Sequence, residues 1–301
     1  MSQHVHVLLD TDIGDDIDDA LALALILRSP EISLRGVSTV FGDTASRARL
    51  AAYLLKAFGR EDVPVAAGIA TPLQPRHRPS GVPQAAILDP RERLPALSKL
   101  CGPQLIIDMA LAHPARLTLL CIGPLTNVAI ALQQEPRLFM AIRSIVMMGG
   151  TSNLPFAEWN VRSDARAAQL VLASGIPITM IGWNVTMRCR LRQEDIARLR
   201  RQPSAQAQLL ARLLAVWQRH RPRWHPALPY LHDPLTVVAL CQPSLLRYEK
   251  MTVRVLARGP MRGWMVPRIM NGPSVQAAVD IQADEARAWI MQRLLGAPDS
   301  D

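Results

Sequence analysis

Six aspartates lie within ten residues near the start of the chain, between a short apolar run and a longer one; they are Asp10, Asp12, Asp15, Asp16, Asp18 and Asp19. Carboxylates this close together repel one another unless they are protonated or face a cation. Oxygen ligands of this kind favour Ca²⁺ or Mg²⁺ over metals that prefer sulfur. The acidic cluster therefore predicts a site for a hard cation, and such charged sites are commonly catalytic.

Helix capping, an EF-hand loop or a phosphoryl-transfer site could also place aspartates at this point of the chain. Capping of the helix that begins near Asp18 would explain two or three of the aspartates, because exposed amides and the helix dipole attract carboxylates, but not six. An EF-hand loop needs glycine at its sixth position and glutamate at its twelfth, whereas Gly14 and Leu21 stand fifth and twelfth when counted from Asp10. A phosphoryl-transfer site built on Asp10 and Asp12 stays open from these residues alone.

Three later segments carry groups that could act at the same site. His232 and Asp233 place a potential acid beside a potential metal ligand at the start of an apolar helix, although aspartate followed by proline is also ordinary helix-start chemistry. Glu158 and Asn160 follow a strand end and offer a carboxylate and a carboxamide that could hold a polyol. The strand that ends near Ile122 runs into a Gly-Pro turn, which leaves backbone carbonyl oxygens available as metal ligands.

The elements that must position these groups alternate between strand and helix patterns. The first pairs are Val5–Leu9 with Ala20–Leu27 and Ile32–Val40 with Ala45–Phe58. The same order recurs where Leu117–Ile122 precedes Asn127–Leu132, Ile142–Met148 precedes Asp164–Ala173, and Ile178–Ile181 precedes another helical region. This rhythm predicts one α/β domain spanning residues 1–301, with a mostly parallel central sheet flanked by helices. Because ligands bind outside the carboxyl ends of such strands, the candidate groups should meet in one cleft.

Composition excludes several classes of protein. The chain of 301 residues is 49% hydrophobic, which is ample for a core, and no apolar run approaches the roughly 20 residues needed to span a bilayer. The amino terminus lacks a signal-like pattern. Its four cysteines are widely spaced, without the Cys-x-x-Cys pairs of zinc or thiol redox sites. These features predict a soluble, cytoplasmic protein with reduced cysteines and no membrane association.

The formal net charge of +9 is concentrated in one segment. Ten arginines lie between Arg188 and Arg223 against two acidic residues, Glu194 and Asp195, which gives a local balance of 10 − 2 = +8. A basic surface attracts polyanions, but few aromatic residues are interleaved here for base stacking, and no nucleic-acid motif is evident. The pattern predicts solvated arginine-rich helices and no specific nucleic-acid partner.

Taken in order, these motifs make the chain resemble the inosine-uridine-preferring family of nucleoside hydrolases. The resemblance extends over almost the whole chain, from the acidic cluster through the Gly-Gly motif at 149–150 and the Glu-x-Asn motif at 158–160 to the His-Asp-Pro motif at 232–234. The acidic motif has a longer form here, with two extra residues between Gly14 and the Asp18-Asp19 pair. The family implies one α/β domain that holds one Ca²⁺ ion and hydrolyses the N-glycosidic bond of ribonucleosides, commonly as a homodimer or homotetramer.

The resemblance implies a metal-binding role for five positions. Carboxylates of Asp12, Asp19 and Asp233 would bind calcium together with the backbone carbonyl of Ile122. Asp10 would be a supporting carboxylate behind these ligands. Asp12 would also take a proton from a calcium-bound water, which would then attack the sugar.

The resemblance also implies which residues contact the substrate. Asp18 would hold the ribose 2′-hydroxyl. Glu158 and Asn160 match the positions that hold the other ribose hydroxyls, with Met148 beside them. His232 would face the leaving base and assist its departure by protonation.

The base-binding half of the site departs from the family pattern. Members often carry a His-Gly-x-x-Gly-like element in the loop after the second helix, whereas the corresponding loop here, Arg76–Ala86, lacks it and offers only His77, which the prolines around it leave unassigned. Asp43 stands where many members have Asn and adds a negative charge near the ribose, and Asn184 stands where Asp is usual. The remaining candidates for contact with the base could equally pack a helix; they are Trp217, His220, Trp224 and His225.

Several functions besides ribonucleoside hydrolysis stay open from the sequence. A hydrolase of another N-riboside, such as a nicotinamide or modified nucleoside, would keep the metal and ribose site and accommodate the altered loop. A binding protein without turnover would need neither a water-activating carboxylate such as Asp12 nor an acid such as His232 on the other side of the ribose. A phosphatase would require a lysine and a second acidic motif late in the chain, but lysine is scarce and Lys250 is badly placed. The residues present therefore favour the ribonucleoside hydrolase.

Overall fold

The alternation of strands and helices is realised in a computed structural model, which describes residues 4–75, 81–89, 91–221 and 226–296. The strands of these residues are β1 (Val5–Thr11), β2 (Ile32–Thr39), β3 (Val65–Ala67), β4 (Leu117–Cys121), β5 (Ile142–Met148), β6 (Ile178–Ile181), β7 (Leu246–Val255), β8 (Met265–Pro267) and β9 (Ser274–Ile281). The α-helices are α1 (Asp18–Leu27), α2 (Thr44–Ala57), α3 (Gly102–Ala112), α4 (Thr126–Gln134), α5 (Leu138–Ala141), α6 (Trp159–Ser163), α7 (Ala165–Leu172), α8 (Trp183–Thr186), α9 (Gln193–Arg201), α10 (Ala205–His220), α11 (Pro234–Cys241) and α12 (Ala283–Leu295). Short 3-10 helices lie at Pro83–Ile87 and Pro243–Leu245.

The strands of the described residues form one nine-stranded sheet in the order β3-β2-β1-β4-β5-β6-β9-β7-β8. Strands β1 to β6 pair in parallel, and β9 extends this arrangement beside β6. Only the last part differs, because β7 runs antiparallel to both β8 and β9. The predicted α/β domain with a mostly parallel central sheet is therefore confirmed. The carboxyl ends of β1, β4, β5 and β6 lie side by side at one edge.

Both faces of the sheet are buried under helices, which explains why its central strands are apolar throughout. Side chains alternate between the two faces of a strand. In β1, Val7 and Leu9 pack against α1, α2 and the carboxyl-terminal helices, whereas Leu8 packs on the other face with residues of α3, α4 and α7. A polar side chain inside such a strand must be held by hydrogen bonds. Asp10 and Thr11 are such residues at the end of β1, and they lead to the candidate site.

Some element boundaries bear on function. Helix α1 begins at Asp18, as predicted, two residues before its apolar pattern, so Asp18 and Asp19 form part of its first turn. The arginine-rich segment forms α9 and α10 on either side of Pro203. In the loop predicted over Arg76–Ala86, residues 76–80 lie outside the described residues. No helix in the described parts of the chain combines the length and the apolar character needed to cross a membrane.

Candidate active site

Three carboxylates from distant parts of the chain meet at the carboxyl ends of the central strands. Asp18 and Asp19 lie in the first turn of α1, Asp233 directly precedes α11, and one carboxylate oxygen of each lies within 4.8 Å of the other two. All three residues are buried, and the backbone amide of Asp233 donates to Asp18 at 3.4 Å. The side chain of Asp233 makes no capping hydrogen bond within the described residues. Ordinary helix-start chemistry therefore does not explain this cluster.

Asp12 lies at the margin of this group, just beyond the end of β1. Its carboxylate is not one of the three that lie within 4.8 Å of one another. That group contains Asp18 instead, a residue that the resemblance assigns to the ribose. A β-carbon placed on Gly123 would lie 2.9 Å from Oδ1 of Asp12, so the carboxylate rests against the glycine backbone that follows β4. On the same strand end, Thr11 donates its hydroxyl to Oδ1 of Asp19 at 2.5 Å. The turn after β4 and the end of β1 together fix these acids.

Asp10 lies behind the group, within β1 itself. Its Oδ1 accepts hydrogen bonds from Ser38 at 2.6 Å and from Asn127 at 2.7 Å. Asn127 also donates to the carbonyl oxygen of Thr39 at 3.0 Å, so it ties α4 to the ends of two strands. Oδ2 of Asp10 is buried and has no hydrogen-bond partner among the described residues. This position fits a supporting carboxylate that faces a positive charge.

Burial raises the pKa values of the buried acids Asp10, Asp12, Asp18, Asp19 and Asp233, and repulsion between carboxylates adds to the rise in all of these except Asp10. Removal from water raises the pKa of Asp10 to about 7 and that of Asp12 to about 8. Desolvation, followed by repulsion from neighbouring aspartates, raises the pKa values of Asp18, Asp19 and Asp233 well above the ordinary range. Buried acids of this kind either hold protons or face a cation. The cluster is therefore electrostatically unfavourable unless positive charge is added.

Asn160 connects the ends of β4 and β5 beside the acids. Its Nδ2 donates to the carbonyl oxygen of Ile122 at 2.9 Å and to that of Met148 at 3.2 Å. The Ile122 carbonyl, which the sequence offers as a metal ligand, thus already accepts one hydrogen bond. A carbonyl oxygen has two lone pairs, so one remains for a cation. The carboxamide oxygen of Asn160 is the part that suits a ribose hydroxyl.

Glu158 has a structural use that its spacing from Asn160 does not reveal. The residue is 3% exposed and precedes α6, where its carboxylate accepts from the backbone amides of Asn160 at 2.8 Å and Val161 at 3.1 Å. The amide of Gly150 donates to the same carboxylate at 3.0 Å. Burial raises the pKa of Glu158, and these three amides oppose that rise. A contact with ribose would use the lone pairs that remain.

His232 is half-buried next to Asp233 and is oriented by α8. Its Nδ1 lies 2.6 Å from Oγ1 of Thr186, and Thr186 donates its hydroxyl to the carbonyl oxygen of Trp183 at 3.1 Å. A hydroxyl has one proton, so in this arrangement it accepts from Nδ1 and fixes the orientation of the imidazole. The ring of Tyr230 lies 5.4 Å from that of His232. Nothing in the sequence singled out Thr186.

The remaining residues proposed to contact substrate are dispersed. Asp43 is exposed and caps α2 by accepting from the Ser46 amide at 3.0 Å, and this hydrogen bonding lowers the pKa of its carboxyl. Trp217 is 2% exposed and packs in the core, which leaves it no surface for a base. His220 is exposed, and its Nδ1 lies 2.9 Å from the carbonyl oxygen of Val216. His77, Trp224 and His225 lie outside the described residues.

The donor atoms gathered here fit a hard cation. Asp18, Asp19 and Asp233 offer carboxylate oxygens within 4.8 Å of one another, Asp12 lies at their margin, and Ile122 offers a carbonyl oxygen. Such ligands are typical of calcium and magnesium sites. The unpartnered Oδ2 of Asp10 and the raised pKa values of the cluster call for the same positive charge.

Comparison with known proteins agrees with the fold and shows the family. The sequence profile of the family described as "Inosine-uridine preferring nucleoside hydrolase" matches residues 7–289. A probable uridine nucleosidase 2 from Arabidopsis thaliana is 31% identical over 96% of this chain and 97% of its own length. The pyrimidine-specific ribonucleoside hydrolase RihA of Shewanella woodyi is 35% identical over 84% of each chain. A purine-preferring ribonucleoside hydrolase from Gardnerella vaginalis superposes with a TM-score of 0.84 at 26% identity, over 97% of this chain and 98% of that chain. With the acidic cluster lying where the parallel strands end, the chain belongs to the inosine-uridine preferring nucleoside hydrolase family and is a nucleoside hydrolase.

Proposed function

We propose that this nucleoside hydrolase cleaves the N-glycosidic bond of ribonucleosides in a calcium-dependent reaction that yields base and ribose. The observation that carries the proposal is the meeting of Asp18, Asp19 and Asp233 within 4.8 Å in a buried site, directly beside His232. Bound calcium would supply a fixed positive charge that orients water and the ribose diol and lowers the pKa of the water. Asp19 and Asp233 of this group would hold it, together with Asp12 and the carbonyl of Ile122, which the resemblance to the family adds.

Each side chain of the site then has a defined task. Asp12 takes the proton of the attacking water, and the bound cation would favour the ionised carboxylate that this task requires. Asp18 accepts from the ribose 2′-hydroxyl, and Asn160 and Glu158 hold the remaining hydroxyls. Met148 lies beside Asn160, whose amide donates to its carbonyl oxygen at 3.2 Å.

The charge distribution of the site suits the bond that breaks. Cleavage of a ribosyl C–N bond builds positive charge on the sugar and negative charge on the base. Buried carboxylates beneath the ribose stabilise the positive charge on the sugar. Because they are already fixed in place, no water has to reorganise during the reaction. His232 keeps its Nδ1 proton towards Thr186, so as an imidazolium it donates the proton of Nε2 to the departing base, which neutralises the negative charge there.

For the base we propose a pyrimidine, with uridine as the first substrate to test. The support is the activity for which two relatives are named, a probable uridine nucleosidase at 31% identity and a pyrimidine-specific ribonucleoside hydrolase at 35% identity. The purine-preferring hydrolase is less similar in sequence, at 26% identity, and resembles this chain mainly in its fold. Purine nucleosides and other N-ribosides are therefore the competing outcomes of the test.

The test is release of ribose from uridine, cytidine, inosine, adenosine and nicotinamide riboside, with wild type beside Asp12→Asn. Loss of a general base typically lowers the rate by about 10²–10⁴, so the variant should lose at least that much activity. Asp62→Asn, an exposed position that pairs with Arg60, is the control and should match wild type. No ribose from any substrate, with calcium bound by metal analysis, would overturn the proposal. Light scattering of the same preparation tests the homodimer or homotetramer that we propose from the family's usual assembly.

A further inference from the structure

Arg47 is the largest fully buried side chain of the described residues and, among them, the only arginine or lysine that is buried. It lies in the first turns of α2, the helix that follows β2. A guanidinium loses its hydration when it is buried, and this loss is tolerated only where fixed acceptors surround it. The acceptors of Arg47 therefore indicate what the residue is for.

The guanidinium of Arg47 joins the backbone beyond β1 to the backbone beyond β2. Its Nη1 donates to the carbonyl oxygens of Asp12 and Ile13, the latter at 2.8 Å, and lies 3.3 Å from Oδ1 of Asp15. Its Nε donates to the carbonyl oxygen of Phe41 at 2.8 Å. Arg47 thus fixes the backbone of the proposed general base and of the residue that follows it.

These contacts lie directly before the lengthened part of the acidic motif and at its first residue, Asp15. Gly14 adopts a φ of +127°, a conformation that residues with a β-carbon rarely adopt, and the chain turns there before the extra residues. Gln84 is fully buried and holds the same loop from the other side. Its backbone amide donates to the carbonyl oxygen of Gly14 at 3.0 Å, and its side-chain Nε2 donates to the carbonyl oxygen of Asp16 at 2.5 Å. Arg47 and Gln84 therefore clamp the loop from two different elements.

Stability alone does not account for Arg47. Its Nη2 is buried and has no hydrogen-bond partner among the described residues. A buried charge with an unsatisfied donor costs free energy that a well-packed apolar side chain would not. What an apolar side chain cannot supply is a positive charge beside the loop between β1 and α1, which carries Asp12, Asp15 and Asp16.

We propose that Arg47 is a positioning residue that holds the lengthened loop so that the Asp12 carboxylate stays against Gly123, beside the three clustered acids. It acts through the carbonyl oxygens of Asp12 and Ile13 and does not touch the substrate. Its charge offsets repulsion in the loop, so the loop keeps its shape before a cation binds. The effect on turnover rests on the proposed function, whereas the effect on cation affinity does not.

Two variants of the full chain separate the charge of Arg47 from its geometry. Arg47→Lys keeps the charge but lacks the fork that bonds several carbonyl oxygens at once. Arg47→Gln keeps an amide donor and removes the charge. Arg49→Gln, an exposed position on the same helix, is the matched control. Circular dichroism reports folding, calorimetric titration reports the calcium Kd, and ribose release reports kcat and KM.

Both Arg47 variants should bind calcium about 10- to 100-fold more weakly than wild type, as is usual when groups behind metal ligands are changed. We expect kcat to fall more than KM rises, with Arg47→Gln affected more than Arg47→Lys and Arg49→Gln unchanged. Folding that occurs only in the presence of calcium would support the role, because the cation would replace the missing charge.

Folded Arg47 variants with the calcium affinity and kcat of wild type would overturn the proposal. Variants that stay unfolded even in saturating calcium would also overturn it, since Arg47 would then be needed only for folding. If wild type releases no ribose, the proposed function fails, and the calcium Kd values still decide the role of Arg47.

Discussion

In the metal-free protein, the free energy of unfolding should fall as the pH rises from about 4 to about 8. Burial raises the pKa of the Asp10 carboxyl from its ordinary 3.8 to about 7. The folded state therefore retains a proton that the unfolded state has already released. The contribution of Asp10 to the free energy of unfolding is fully present below pH 3.8 and is lost as the pH rises through about 7. A cation at the cluster takes the place of that proton, so calcium should oppose the loss.

The size of the effect follows from the two pKa values of Asp10. The difference, 7 − 3.8, corresponds to about 4 kcal/mol at about 1.36 kcal/mol for each pH unit. One kcal/mol moves the Tm of domains somewhat smaller than this one by roughly 2 to 4 °C. Asp10 alone should therefore lower the Tm of the metal-free protein by on the order of 10 °C between acid and mildly alkaline pH.

The assay is thermal unfolding, followed by circular dichroism, after exhaustive metal removal and again with added calcium across this pH range. Asp10→Asn is the control, because its amide oxygen still accepts from Ser38 and Asn127 while the side chain has no proton to lose. Its Tm should depend less on pH than that of wild type. A metal-free Tm that is constant, or that rises with pH, would refute the reasoning. Equal slopes for wild type and Asp10→Asn would remove Asp10 from the explanation.

Two further substitutions test how the acid and base groups are positioned. Gly123→Ala places a β-carbon 2.9 Å from Oδ1 of Asp12 and 2.8 Å from a Val40 methyl group, so it should displace the carboxylate and lower kcat by about 10²-fold. Gly81→Ala, whose β-carbon would meet no atom within 4 Å, is its control, and equal kcat values for both variants would contradict the placement of Asp12. Thr186→Val removes the hydroxyl that lies 2.6 Å from Nδ1 of His232 and should lower kcat by about 10-fold or more, most of all for bases that leave poorly. Thr186→Ser should restore the rate, and a Val variant as active as wild type would show that the ring needs no such anchor.

Local sequence patterns were sufficient to predict the sheet and the meeting point of the acids. Asp10 and Asp12 stand at the end of an apolar run, and Asp233 stands at the start of an apolar helix. In a parallel sheet the ends of neighbouring strands lie at one edge, so residues far apart in sequence are brought together by topology alone. That rule needs only the order of the elements, which apolar periodicity reveals.

The residues that hold the acids in place could not be predicted in this way. Asn127 bonds Asp10 across 117 residues, and Thr186 contacts His232 across 46, pairings that no local pattern encodes. Arg47 reads as one more basic residue of an amphipathic helix, because its burial depends on where the loop after β1 folds back. The sequence motif predicts a sugar contact for Glu158 but not its structural role, since its carboxylate also caps α6.

The balance of buried charge connects the fold with the proposed reaction. Arg47 is the only buried arginine or lysine in the described residues, whereas the buried acids of the cluster are Asp10, Asp12, Asp18, Asp19 and Asp233. One guanidinium offsets one carboxylate, so the remaining acids must be protonated or face further positive charge. A divalent cation supplies part of that charge. In the proposed reaction, the remaining negative charge would attract the positive charge that develops on the ribose during cleavage and that an intact nucleoside lacks, and so would favour the transition state over the bound substrate.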